Sequence, residues 1–166
     1  MDPIQTERLT LRNLTRDDWS DLRVMILQYV ASPHAIYDHP WPTSEDELKG
    51  VAEWFASGDR YLAVCLRPDG TFIGFVCLNP AEGCPETEFN LGYIFNSDYH
   101  GQGYATEACR AALRRAFTEL AADRVVTGTA KANEPSCRLL ARLGLTPIAG
   151  SEGMYALSRE EWEGTR

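Results

Sequence analysis

Residues 92–113 read GYIFNSDYHGQGYATEACRAAL, a strand-like run that passes through a short loop into Gly101, Gln102 and Gly103 and directly into a helix-like run. Glycines at such a turn permit φ > 0 and leave main-chain N–H groups uncovered. Together with the dipole at the start of the helix, those groups form an anion cradle suited to a pyrophosphate. Thr106 adds a hydroxyl donor. The same turn also serves elsewhere as a plain helix cap, and the residue types alone leave both readings open. Two phosphate motifs are excluded. No Lys follows Gly101 or Gly103, so there is no P-loop. GQGYAT has Thr106 where a dinucleotide fingerprint needs its third small residue, and Asp123 precedes the next strand instead of ending it, so a nicotinamide site fits poorly.

Other reactive side chains carry less. His34, Asp38 and His39 lie in a Pro-rich loop that fixes no coordination geometry and offers no fourth ligand, so no metal is expected. Cys137 has no paired His or local cue for a lowered pKa and reads as structural. The five cysteines are odd in number, with no CxxC pair, which suits free thiols in a reducing cytoplasm. No basic segment followed by an apolar run opens the chain, and no stretch is apolar enough for a membrane span. Twenty-four acidic against sixteen basic residues give a net charge of -8, with the arginines scattered. That balance argues against a nucleic-acid partner and weakly favours a cationic acceptor.

The elements that must position these groups follow from hydrophobic period and punctuation. Alternation from Thr6 to Asn13, with Leu9 and Leu11 on one face, predicts a strand, and Thr15 caps a first helix whose broad apolar stripe is Trp19, Leu22, Val24, Met25, Ile26 and Leu27. Three prolines make residues 33–43 a loop, and Ser44 with Glu47 forms a capping box for a second helix that carries Leu48, Val51, Trp54 and Phe55, is packed by Trp54 and Phe55, and ends near Gly58. Strands are expected over 61–67 and 71–78 around Pro68-Asp69-Gly70, and over 88–95. A long helix runs from Tyr104 to Leu120, with its core stripe from Ala105 to Leu120. Residues 124–130 form a strand, Pro135 opens a helix stopped by Gly144, and 145–149 and 153–158 close the sheet. Residues 159–166 are polar and expected to fray. At 166 residues the chain has enough length for one α/β domain with a substantial core, spanning about residues 6–158.

TERLTLRNLTRDDW (6–19), PWPTSEDEL (40–48), LGYIFNSDYHGQGYATEA (91–108) and NEPSCRLLARLGL (133–145) together resemble the GNAT superfamily of N-acetyltransferases. The resemblance is to the branch that acetylates the N-termini of ribosomal proteins. It implies an acyl-CoA N-acyltransferase fold, a mixed central sheet of about seven strands with helices on both faces. The fourth and fifth strands would splay, with acetyl-CoA between them. On this resemblance Ile94, Phe95 and Asn96 pair with the pantetheine arm, and Gly101, Gln102, Gly103, Tyr104, Ala105 and Thr106 hold the pyrophosphate. Asn133 matches the family asparagine at the pantetheine, and Ser136 the serine near the thioester sulfur. Asn133 also suits a helix cap before Glu134 and Pro135.

The implied chemistry is direct attack of a neutral primary amine on the thioester. It needs a proton acceptor, stabilisation of the carbonyl oxygen by Ile94 or Phe95 N–H, and a donor to the leaving thiolate at Ser136. Asn90 stands where the branch often has Glu and cannot be a base, which moves that role to Glu88 on the same strand face or to water. His100 replaces the Gln or Arg common at the start of the turn, and Ala141 a common charged residue. Tyr37, His39 and Trp41 are the acceptor-lining candidates, with Trp41 in the core as the alternative. The acceptor is expected to be a small-molecule or peptide amine and the assembly a monomer or homodimer. A catalytically weak acyl-CoA-binding module on the same fold is the rival reading.

Overall fold

The computed structural model describes residues 1–165. Leu9 and Leu11 are buried between the half-buried Thr10 and Arg12, and this period of two makes β2 (Leu9–Asn13). The chain before it does not extend that strand. Thr6 N–H donates to Leu9 O at 2.9 Å, closing a turn that folds β1 (Ile4–Gln5) back antiparallel onto β2. This turn raises the expected seven or so strands to eight. Six further strands follow: β3 (Tyr61–Leu66), β4 (Phe72–Pro80), β5 (Glu88–Phe95), β6 (Arg124–Gly128), β7 (Thr146–Pro147) and β8 (Met154–Ser158). Their order in the sheet is β1-β2-β3-β4-β5-β6-β8-β7. The β5–β6 pair is parallel while β2–β3, β3–β4 and β6–β8 are antiparallel, so the sheet is mixed. The helices are α1 (Trp19–Val30), α2 (Glu45–Ala56), α3 (Tyr104–Thr118), α4 (Glu134–Leu143) and α5 (Arg159–Gly164).

The chain divides into two compact units. The first holds residues 1–77 and 93–108. Its core gathers Leu22, Met25 and Ile26 of α1, Leu48, Ala52 and Phe55 of α2, and Phe72 and Phe75 of β4. Phe55 stacks on Tyr61 with ring centroids 3.7 Å apart, whereas Trp54, expected to pack α2, is 61% exposed. Ser44 caps α2 by accepting from Glu47 N–H, as its sequence predicts. Asp18 sits just before α1, where both carboxylate oxygens accept from Arg12 at 2.7 and 2.8 Å and Thr15 N–H donates at 2.7 Å. A buried carboxylate is tolerable only when paired and hydrogen-bonded in this way.

The second unit holds residues 78–92 and the chain from Cys109 onward. Ala112, Leu113, Ala116 and Phe117 of α3, Val125 and Val126 of β6, Leu139, Leu140 and Leu143 of α4, and Leu157 of β8 are buried there. Gly144 ends α4 in the left-handed region at φ +86, the position a glycine fills without a Cβ penalty. The expected fraying after Ser158 is corrected through residue 165. Ser158 and Glu161 form a capping box for α5, and Trp162 stacks on Phe117 at 5.0 Å. Arg159 donates to the carbonyls of Phe117 and Ala122, which ties the helix to the end of α3. Arg166 lies outside the described residues.

Candidate active site

Gly101 and Gly103 both lie in the left-handed region, at φ +76 and +81, so the GQG turn requires glycine at both positions. A Cβ on Gly101 would meet nothing within 4 Å, which leaves that face of the turn open to a ligand. A Cβ on Gly103 would lie 3.3 Å from Arg8 Nη2. Tyr104, Ala105 and Thr106 form the first turn of α3, the end at which the helix dipole and main-chain amides favour an anion. These features fit a diphosphate: glycine backbone in the left-handed region, an open face and helix-start amides. Behind the turn stands a contact set that local sequence did not reveal. Arg8 Nη1 donates to Gln102 O at 2.8 Å and Arg8 Nε to Glu107 Oε2 at 2.7 Å. Arg8 and Glu107 are 99 positions apart, so no periodic or motif signal links them.

Just before the turn, strand alternation sorts the main-chain groups of residues 94–96. Asn96 N–H donates to Ile73 O of β4 at 2.8 Å, and Ile94 O lies 2.6 Å from where a Cβ on Gly74 would sit. Ile94 and Asn96 thus turn their backbone toward β4, and Phe95 turns its own to the opposite edge. There Phe95 O accepts from His100 Nε2–H at 3.0 Å, which gives the histidine a role in shaping the turn. The Asn96 side chain accepts from Asp98 N–H, capping the short 3-10 turn at Ser97–Tyr99.

In the second unit, β5 and β6 pair over Glu88–Asn90 only, although β5 has eight residues and β6 five. The next tie between them is a side-chain bond, Thr127 Oγ1 to Leu91 O at 2.7 Å. Glu88 faces Arg124 across the ladder, with Arg124 Nη1 3.4 Å from Glu88 Oε2, and its side chain is 14% exposed. Asn90 is exposed. Asn133 is the N-cap of α4, its side-chain oxygen accepting from Ser136 N–H at 3.3 Å. Ser136 therefore sits half-buried in the first turn of α4. Cys137 is also partly buried, and the Tyr155 hydroxyl donates to its sulfur at 3.6 Å, which raises the phenol above its ordinary pKa. Tyr155 borders a cavity of about 390 Å3 that Lys131, Glu152 and Met154 also line.

The loop after α1 belongs to the first unit. Tyr37 and His39 are exposed. Trp41 instead packs its ring against the core, 6.4 Å from Phe75, and donates from Nε1 to Asp38 Oδ2 at 3.2 Å. Asp38 is the organiser of this loop, a role its sequence position concealed. It also accepts from His39 N–H at 2.7 Å and from the Tyr29 hydroxyl. Burial, reinforced by Asp38, pushes the Tyr29 phenol up to about 12. No group of His, Cys, Asp and Glu among the described residues is arranged to hold a metal ion, and none of their helices is long and apolar enough to cross a membrane.

Residues 8–146 match the Acetyltransferase (GNAT) domain family. The chain belongs to that family, whose members transfer acetyl groups from acetyl-CoA. It is 28% identical over 178 residues to an N-acetyltransferase of Bacillus subtilis, YnaD, covering 96% of this chain and 98% of the relative. It is 31% identical over 148 residues to the FsC-acetyl coenzyme A-N(2)-transacetylase of Aspergillus fumigatus, covering 73% of this chain and 62% of that one. Among solved structures, an acetyltransferase from Agrobacterium tumefaciens superposes with a TM-score of 0.72 at 27% identity, covering 95% and 94% of the two chains. The acyl-CoA N-acyltransferase fold and N-acetyl transfer are the class these matches define.

Proposed function

We propose that the chain acetylates a primary amine of a small molecule or protein N-terminus, using acetyl-CoA bound through the GQG turn. The observation that carries this is the left-handed geometry of Gly101 and Gly103 at the head of α3, with an open face above it. In this reading the amides of Gln102 to Thr106 hold the diphosphate, and Asn133 bonds the pantetheine arm. Bound acetyl-CoA supplies an activated acyl carbon and a thiolate leaving group. Phe95, not Ile94, offers the main-chain N–H for the carbonyl oxygen, because Ile94 has its backbone turned toward β4. Ser136 donates toward the sulfur. Asn90 positions without titrating, and Glu88 receives the amine proton through water while Arg124 holds one carboxylate oxygen. Tyr37 and His39 line the acceptor, and Trp41 supports them from the core. The compartment in this reading is the cytoplasm, with the chain acting as a monomer or homodimer and binding no nucleic acid.

Calorimetric titration with acetyl-CoA, CoA and NADH tests the cofactor reading. Saturable binding of the first two at one site, with none of NADH, is the expected result and licenses an amine screen. A folded sample that binds neither CoA species refutes it.

A further inference from the structure

We infer that Arg8 is a positioning residue for the diphosphate cradle, an assignment that rests on acetyl-CoA as the cosubstrate. Its Nη1 donates to Gln102 O at 2.8 Å. Every peptide bond described is trans. In a planar trans peptide the C=O and the following N–H point in opposite directions. Fixing the Gln102 carbonyl on Arg8 therefore turns the Gly103 N–H away from Arg8, out of the turn and toward the ligand side.

The guanidinium is itself held from several directions. Nε donates to Glu107 Oε2 at 2.7 Å, and Cζ lies 4.5 Å above the Tyr104 ring. Glu107 also accepts from Thr6 Oγ1 at 2.6 Å and from Arg8 N–H at 2.8 Å. Burial pushes the Glu107 carboxyl up, but the bonds from Thr6 and Arg8 outweigh it and hold the group below its ordinary value. It stays ionised. An unpaired carboxylate in the first turn of α3 would repel an anion arriving at that helix start. Arg8 cancels that charge while orienting the peptide that meets the anion. A bond serving stability alone needs only the Arg8–Glu107 pair; the second arm of the fork, on Gln102 O, couples the pair to the turn.

The experiment follows amide NMR shifts while Arg8→Met, Arg8→Lys and the parent chain are titrated with CoA and with pantetheine, which lacks the diphosphate. Both variants should bind CoA about tenfold more weakly, since the hydrogen bonds lost involve a charged donor. Pantetheine shifts should be the same in all three chains. Arg8→Lys keeps a cation beside Glu107 and guards against loss of the fold. One ammonium cannot reproduce the two-armed fork, so full CoA affinity in Arg8→Lys overturns the positioning role. An equal loss of pantetheine binding overturns it too, by making Arg8 a general structural residue. If the parent chain itself fails to bind CoA, the cosubstrate reading falls, and its failure is distinguished from that of Arg8 alone.

Discussion

Arg124 stands opposite Glu88 in the parallel β5–β6 ladder, and its Nη1 lies 3.4 Å from Glu88 Oε2. The pair sits at the end of β5 where the two strands are still joined, two residues from Asn90. That spacing is about 6.6 Å along a strand, within reach of one bridging water. Glu88→Gln should therefore lower kcat by at least about tenfold, as expected for loss of a proton acceptor. An unchanged kcat in Glu88→Gln leaves the Glu88–Arg124 pair purely structural.

Asn133 combines two assignments that one substitution separates. Its side chain caps α4 through Ser136 N–H. Asn133→Ala should cost about 1 kcal/mol of stability, the usual loss for an N-cap. Asn133→Ser restores the cap oxygen and with it the thermal midpoint. If the asparagine also bonds the pantetheine arm, Asn133→Ser still binds CoA more weakly than the parent. Parental affinity in the serine variant restricts Asn133 to capping. Ser136→Ala, one turn into the same helix, should lower kcat with CoA affinity retained; equal rates remove the serine from the chemistry.

At the glycine turn the expected outcome is loss of binding ahead of loss of fold. Gly103→Ala imposes φ +81 on a residue with a Cβ and brings that carbon within 3.3 Å of Arg8 Nη2. The backbone strain is worth about 1–3 kcal/mol, which a chain of this size survives. Calorimetry on the folded variant should show CoA affinity reduced by at least about tenfold. An unchanged dissociation constant would detach the turn from the cofactor.

Much of this arrangement was legible because it is written locally. The GQG turn, the Ser44 and Gly144 caps, the β5 limits and the apolar stripe of α3 each follow from neighbouring residue types. What escaped is held by partners distant in sequence. Thr6–Arg8 leaves the strand period because Glu107 draws in Thr6 Oγ1 and Arg8 N–H. Residues 159–164 are polar enough to read as a tail, yet Trp162 finds Phe117 and makes them a helix. The type of Trp41 suits substrate or core alike, and its packing on Phe75 and its bond to Asp38 depend on partners that no local pattern links to it.

The pairing of buried Asp18 with half-buried Arg12 predicts how the first unit responds to acid. Asp18 is 7% exposed. Burial raises its pKa, but the bonds from Arg12 and Thr15 prevail and hold it below its ordinary 3.8, while the bond to Asp18 holds Arg12 above its own ordinary value. A carboxylate whose folded pKa is depressed adds stability that is fully present above the unfolded pKa and lost as pH falls through the folded one. Thermal midpoints should therefore hold steady from neutral pH to about pH 5 and fall below about pH 4. Asp18→Asn leaves Arg12 without its counter-charge and Thr15 N–H with a weaker acceptor, a change that costs about 1–3 kcal/mol, because the Arg12 side chain is 33% exposed and water takes over part of the lost pairing. The same variant should show a flatter acid limb, because the group responsible for part of it is gone. A parallel limb in Asp18→Asn and the parent assigns the acid sensitivity to other carboxylates, among them Glu107, whose pKa is lowered in the same direction.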